Sequence, residues 1–149
     1  MNKELTLEHL SGYLPYGLKA EMLDYKSDYV GRQYDVIIGV HQWSKNGDWC
    51  LLTDGGSKPS FNHIKPILRP LTDLTKEIEV DGEKFVPIEW IEDKHYTLDL
   101  HKQCERLLED ERWINQCDYM LVKYLMEWHF DIHNLIEQGQ AIDINTLND

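Results

Sequence analysis

The chain has 149 residues, with 15 Lys and Arg against 27 Asp and Glu, for a formal charge of −12. At that length roughly two-thirds of the unfolded surface can be buried, enough for one domain with a core that needs no metal or disulfide. An apolar content of 42% with 11% aromatics excludes a disordered acidic tail. The charge argues against nucleic acid or an anionic membrane as the main partner, because its field repels both.

The charge is unevenly placed. Through residue 74, eight basic side chains stand against nine acidic ones; from residue 75 on, seven stand against 18. Met1 to Thr6 has no apolar core, so no export signal is expected. The longest aliphatic run, Val36-Ile37-Ile38 carried through Gly39 to Val40, is far short of the roughly 20 residues that span a bilayer. Cys50, Cys104 and Cys117 are odd in number and widely spaced, which predicts buried thiols in a reducing cytoplasm.

In chain order, Thr6 caps a helix of one or two turns over Leu7-Glu8-His9-Leu10, stopped by Ser11-Gly12 and Pro15. Four β-rich pieces follow: Leu18 to Tyr25, Tyr34 to Trp43, Trp49 to Thr53 and Ile64 to Leu68. Asn46-Gly47 predicts a two-residue hairpin turn, which sets Lys45 opposite Asp48, Ser44 opposite Trp49, Trp43 opposite Cys50 and His41 opposite Leu52. Alternation then puts Val36, Ile38, Val40, Trp49 and Leu51 on one face, with Ile37, Trp43, Cys50 and Leu52 on the other. Both faces need some cover.

Asp54 to Ser60 reads as a loop. Pro66 and Pro70 restrict the segment between them to an edge strand or an extended connection. Thr72 or Asp73 caps a short helix through Ile78, Asp81-Gly82 marks a turn, and Lys84 to Ile88 is extended. From about Thr97 the apolar period is helical: Leu107, Leu108, Ile114, Cys117, Leu121, Tyr124, Leu125 and Trp128 recur every three or four residues. Asp118 caps the later helix and Gly139 stops it, which predicts a helix of about 31 Å from Asp118 to Gln138. The resulting fold class is α+β: a small antiparallel sheet or partly open barrel from the first half, β-rich over 13–70, packed against C-terminal helices over 97–139, in a single domain.

Three groups of strings carry a resemblance: Tyr13-Leu14-Pro15-Tyr16-Gly17-Leu18-Lys19, Lys65 through Leu74, and Glu127-Trp128-His129-Phe130-Asp131-Ile132 with Ala141-Ile142-Asp143-Ile144-Asn145. Together they resemble a family of small uncharacterised proteins encoded in prophages and mobile elements of Bacteroides-type gut bacteria. The resemblance implies a bacterial cytoplasm and a phage or mobile-element setting. It implies no cofactor and no catalytic residue.

No catalytic motif is complete. His129 and His133 are four apart, a spacing that puts two imidazoles on one helix face, and with Cys104 and Cys117 they make up the writable metal ligands. A zinc protease needs Glu after the first His; Phe130 stands there, Asp131 lies on the far side of the helix, and no paired Cys knuckle exists. No metal or other cofactor is therefore expected. His101 stands three before Cys104 as a candidate base, but Glu105 and Glu109 would raise that thiol's pKa. The clustered carboxylates Glu105, Glu109, Asp110 and Glu111, interleaved with Arg106 and Arg112, read as a solvated helix face. Asp143 to Asp149 lacks the glycine and the closing Glu of a calcium loop. Gly55-Gly56-Ser57-Lys58 lacks phosphate-loop spacing.

Trp90 and Trp113 stand within a few residues of those acids, the pattern of an interaction surface. The expectation is accordingly a non-enzymatic module that binds or modulates a protein partner, with Trp90, Trp113, Glu105, Glu109, Asp110 and Glu111 as binding residues. No direct nucleic-acid or membrane binding is expected. Two alternatives are a metal-assisted hydrolase using His129 and His133, and a phage structural or assembly component.

Overall fold

A computed structural model describes residues 5–23, 33–42, 49–95 and 99–147. Helix α1, Leu7–Leu10, begins at Thr6, whose N–H donates to His9 Nδ1 at 3.1 Å and so closes one open backbone group of the helix start. The chain does not stop at Ser11-Gly12. It continues as a 3-10 turn over Ser11–Tyr16, held in place by the fully buried Tyr13.

Strands β1 (Lys19–Met22), β2 (Gln33–Gln42), β3 (Trp49–Thr53) and β4 (Ile64–Leu68) fall where the β-branched and aromatic runs predict them. With β7 (Ile142–Asp143) they form an open five-stranded sheet in the order β3-β2-β1-β4-β7, antiparallel except for the last pair. The sheet does not close into a barrel. Strand β4 is no edge strand, as β1 and β7 flank it. Strand β7 pairs only with Ile67 and Leu68, past Pro66, so the proline's missing N–H is not needed for that pairing.

The β2 and β3 register differs from the expected one by two residues. His41 lies opposite Cys50 and Gln42 opposite Trp49, while Asn46-Gly47 and Trp43 lie outside the described residues. A two-residue slip keeps every side chain on its own face, so hydrophobic alternation cannot distinguish the two registers. A bulge then breaks the alternation: Ile37 faces Thr53 and Gly39 faces Leu52, leaving Ile38 without a counterpart. The phase flips there. Ile37 joins Val40 and Leu51 in the core, and Ile38 is 53% exposed instead of sharing their face. The outer edge of β3 is covered by the 54–60 loop, whose Pro59 and Ser57 carbonyls accept from Leu51 N–H (2.9 Å) and Thr53 N–H (3.1 Å).

The middle of the chain is less helical than expected. Leu71–Thr75 is a 3-10 turn, and Ile78, placed by sequence at a helix end, instead opens β5 (Ile78–Val80), which pairs with β6 (Glu83–Phe85). Asp81 (φ 51°) and Gly82 (φ 85°) make the two-residue turn between them, the left-handed pair that matches strand twist. The extended stretch expected from Lys84 to Ile88 ends at Phe85. From Pro87 the chain is helix α2 (Pro87–Lys94), with the proline in the first turn, where its missing N–H has no helical partner to lose.

Helices α3 (Leu100–Glu109) and α4 (Tyr119–Glu127) carry the expected apolar stripe, and the Asp118 side chain caps α4 by accepting from Met120 N–H at 3.0 Å. The long helix to Gln138 does not form. His129 turns left-handed at φ 62°, and the chain then pairs with the end of β4: Arg69 N–H donates to the His129 carbonyl (2.7 Å) and Asp131 N–H to the Arg69 carbonyl (2.8 Å). The Arg69 side chain adds Nε to the Trp128 carbonyl (3.1 Å) and Nη2 to the Glu79 carbonyl (2.9 Å). Carbonyls at the helix end thus find distant partners instead of further helix. Gly139 does take the left-handed conformation expected of a stop (φ 76°). It closes only a single turn, whose start is capped by Asp131 through Leu135 N–H (2.8 Å) and Ile136 N–H (2.9 Å).

Two apolar cores result. The first gathers Leu10, Tyr13, Leu18, Ile37, Leu51 and Leu68 on one side of the sheet; the second gathers Leu74, Ile91, Leu100, Leu107, Leu121 and Phe130 among the helices. Ile132 packs against both. Among the described residues no helix is long and apolar enough to cross a membrane.

Candidate functional site

On α3, Leu100, Cys104 and Leu107 face the second core, while Lys102, Glu105, Arg106 and Glu109 are exposed, the division that a 3.6-residue period imposes. Asp110 leaves the helix with an extended backbone and caps the next turn, Glu111–Gln116, through Arg112 N–H at 3.0 Å. It also grips the Arg112 guanidinium, with contacts of 3.0 and 3.1 Å from Nε and 2.7 Å from Nη2. That fork of donors, first the guanidinium and then the backbone N–H, holds the Asp110 carboxyl down to about 2.

The predicted acids therefore differ in availability. Asp110 is neutralised by Arg112, and Glu105 meets His101 at 2.9 Å, which also lies 3.5 Å from Glu92. Glu109 has no ion pair among the described residues, and Glu111 acts on Arg112 at longer range. Glu109 and Arg112 stand three apart, a helical spacing, yet form no ion pair among the described residues, because α3 ends at Glu109 and Arg112 belongs to the next turn.

The two tryptophans separate. Trp113 is 37% exposed and carries Arg106 over its ring at 5.4 Å. Trp90 is half-buried in an aromatic cluster, edge-on to Trp128 (5.1 Å) and Tyr124 (5.1 Å), with Tyr124 stacked on Trp128 at 5.3 Å. That geometry is core packing.

A pocket of about 260 Å³ lies where α3 and the turn after it meet the Asp131–Gln138 segment. Leu71, Leu107, Leu108 and Ile136 supply apolar lining, and the exposed carboxylates Glu111 and Glu137 belong to the same wall. Sequence reasoning missed Ile136 and Glu137. The long helix it expected has no reversal at His129, and no local spacing signals one.

The histidines do not form a pair. His129 donates Nε2–H to the Tyr16 carbonyl at 2.7 Å, whereas His133 sits edge-on to His9 at 5.4 Å. Burial pushes both imidazoles below their ordinary value, with Arg69 adding to this at His129 and His9 at His133. Cys104 is fully buried in the second core, and that burial, with Cys117 and Glu105 nearby, pushes its thiol up to about 12. Cys117 is raised by burial as well and donates its S–H to the Trp113 carbonyl at 3.3 Å. A thiol so raised is no nucleophile. Among the described residues no three His, Cys, Asp or Glu side chains are placed to share a metal ion. The oxygen-rich end of the chain serves local turns: Asp143 Oδ1 accepts from Asn145 N–H (2.9 Å), and Asn145 Nδ2 donates to the buried Asp73 (2.9 Å).

No family model, curated protein or solved structure matches the chain.

Proposed function

We propose that this protein is a non-enzymatic binding module whose acidic α3 face, continued through Glu111, docks a basic segment of a protein partner. The observation that supports it is the pocket beside that face, where leucine and isoleucine walls adjoin Glu111 and Glu137. An apolar hole edged by carboxylates suits a long side chain with an aliphatic stem and a cationic tip, Lys or Arg, which buries its methylenes and leaves its charge at the rim. Exposed Trp113 and Glu109 extend the same surface. A bacterial cytoplasm and a mobile-element setting belong to the proposal through the string resemblance and the free cysteines.

The test is capture from bacterial lysate with wild-type bait beside a Glu109→Lys, Glu111→Lys double variant. A specific partner is expected on the wild type, lost from the variant, and released steeply between low and moderate ionic strength. Retention on both baits, unaffected by salt, would refute the proposal.

A further inference from the structure

The first core occupies one side of the sheet, through Ala20, Met22, Ile37, Leu51, Ile64 and Leu68. Alternation sends Lys19, Glu21, Tyr34, Val36, Lys65 and Ile67 to the other side, where Glu21 faces Tyr34 and Lys65 across the strands and lies outside the cavity lining. The C-terminal turn Ile144–Leu147 crosses that second side but does not fill it. Between them lies a cavity of about 480 Å³, walled by Val36, Ile67, Ile144 and Leu147, with Lys19, Tyr34 and His129 also in its lining. Its size falls within the range of small-ligand sites, about 300 to 1,000 Å³.

We propose that this cavity binds an aliphatic monocarboxylate of medium chain length, with the hydrocarbon against the four aliphatic walls and the carboxylate at the Lys19 ammonium.

Charge carries the choice of ligand. Among the described residues no Asp or Glu lines the cavity, and Lys19 is the one full charge in its wall. In a protein of net charge −12, a wall with an ammonium and no carboxylate among its described residues selects for an anionic head against the overall field. Lys19 Nζ lies 5.6 Å from the centre of the Tyr34 ring, which keeps the ammonium beside the cavity. His129 uses its Nε2–H on the Tyr16 carbonyl, and burial favours its neutral form, so it lines the cavity without competing for the carboxylate. His129 also keeps a left-handed backbone at φ 62°, a conformation that persists in a non-glycine residue only where its surroundings fix it.

The experiment is calorimetric titration of the full chain with hexanoate, octanoate and decanoate, with octanamide and octylammonium as head-group controls. Saturable 1:1 binding is expected, tightening about fourfold per added methylene, with octanoate preferred over both controls. Lys19→Gln should weaken octanoate about tenfold and leave octanamide unchanged. Leu147→Trp, which fills the cavity, should abolish binding. Val36→Phe serves as a second filling variant if thermal unfolding shows that Leu147→Trp has lost its fold. Absence of saturable binding by the wild type, equal affinity for octylammonium, or full binding by a folded filling variant would overturn the proposal. None of these outcomes bears on the acidic α3 face, which lies among other residues.

Discussion

Removing one oxygen atom, by Tyr13→Phe, tests the link between the two cores. The Tyr13 hydroxyl donates to the Phe130 carbonyl at 2.6 Å and accepts from Ile132 N–H at 3.1 Å, joining the 3-10 turn after α1 to the segment after α4. The ring is fully buried, and burial pushes the hydroxyl's pKa far up, so it stays protonated and able to donate. Phenylalanine preserves the packing and leaves a carbonyl and an N–H without their partner. Each such group costs about 1 to 3 kcal/mol when no replacement reaches it. Ile132 is only half-buried, which favours the lower part of the range for its N–H. The expected loss is about 2 to 4 kcal/mol, or a fall in Tm of roughly 5 to 12 °C for a chain of this size. Urea unfolding, followed by tryptophan fluorescence and far-ultraviolet circular dichroism, should show a lower midpoint with an unchanged slope. A loss below about 0.5 kcal/mol would refute the view that this hydroxyl joins the two cores.

Two further predictions concern titratable groups. Carbon-detected NMR should place the Asp110 carboxyl at about 2, and Arg112→Gln should return it towards the ordinary carboxylate range. Because the folded-state value is depressed, any stability that this pair contributes is present above the ordinary Asp value and lost as pH falls through about 2; an unshifted Asp110 would show that the fork does not persist in solution. With a thiol reagent at pH 8, half-buried Cys117 should react before the fully buried Cys104 and before Cys50, and mass spectrometry of the digested protein reads the order. Modification of Cys104 first would contradict its burial and its raised pKa.

Local chemistry was legible in the sequence wherever it is sufficient to fix the backbone. Thr6 before an apolar turn, Asp118 before another, and the Asp81-Gly82 turn each act through neighbours within a few residues and stand in the structure as expected, although Ile78 ahead of that turn opens a strand where a helix end was expected. The β-branched runs similarly gave the main strands. The proposed binding surface was legible only in part: the helical period exposed Glu105 and Glu109, but the half-burial of Trp90 depends on the distant rings of Tyr124 and Trp128.

Composition and periodicity, which are properties of neighbouring residues, make this an α+β chain with a near-neutral β half and an acidic helical half. Contacts between distant segments set where the last long helix ends, which way β2 turns at Ile38, and where cavities open. Arg69 stops the helix from about 60 residues upstream by pairing its backbone with His129 and Asp131. The bulge at Ile38 depends on what β3 sets opposite it, and the 480 Å³ cavity exists only because the C-terminal turn crosses a sheet face built from the first half of the chain. Long-range hydrogen bonds and shared burial govern these features, and no pattern within a single segment encodes them.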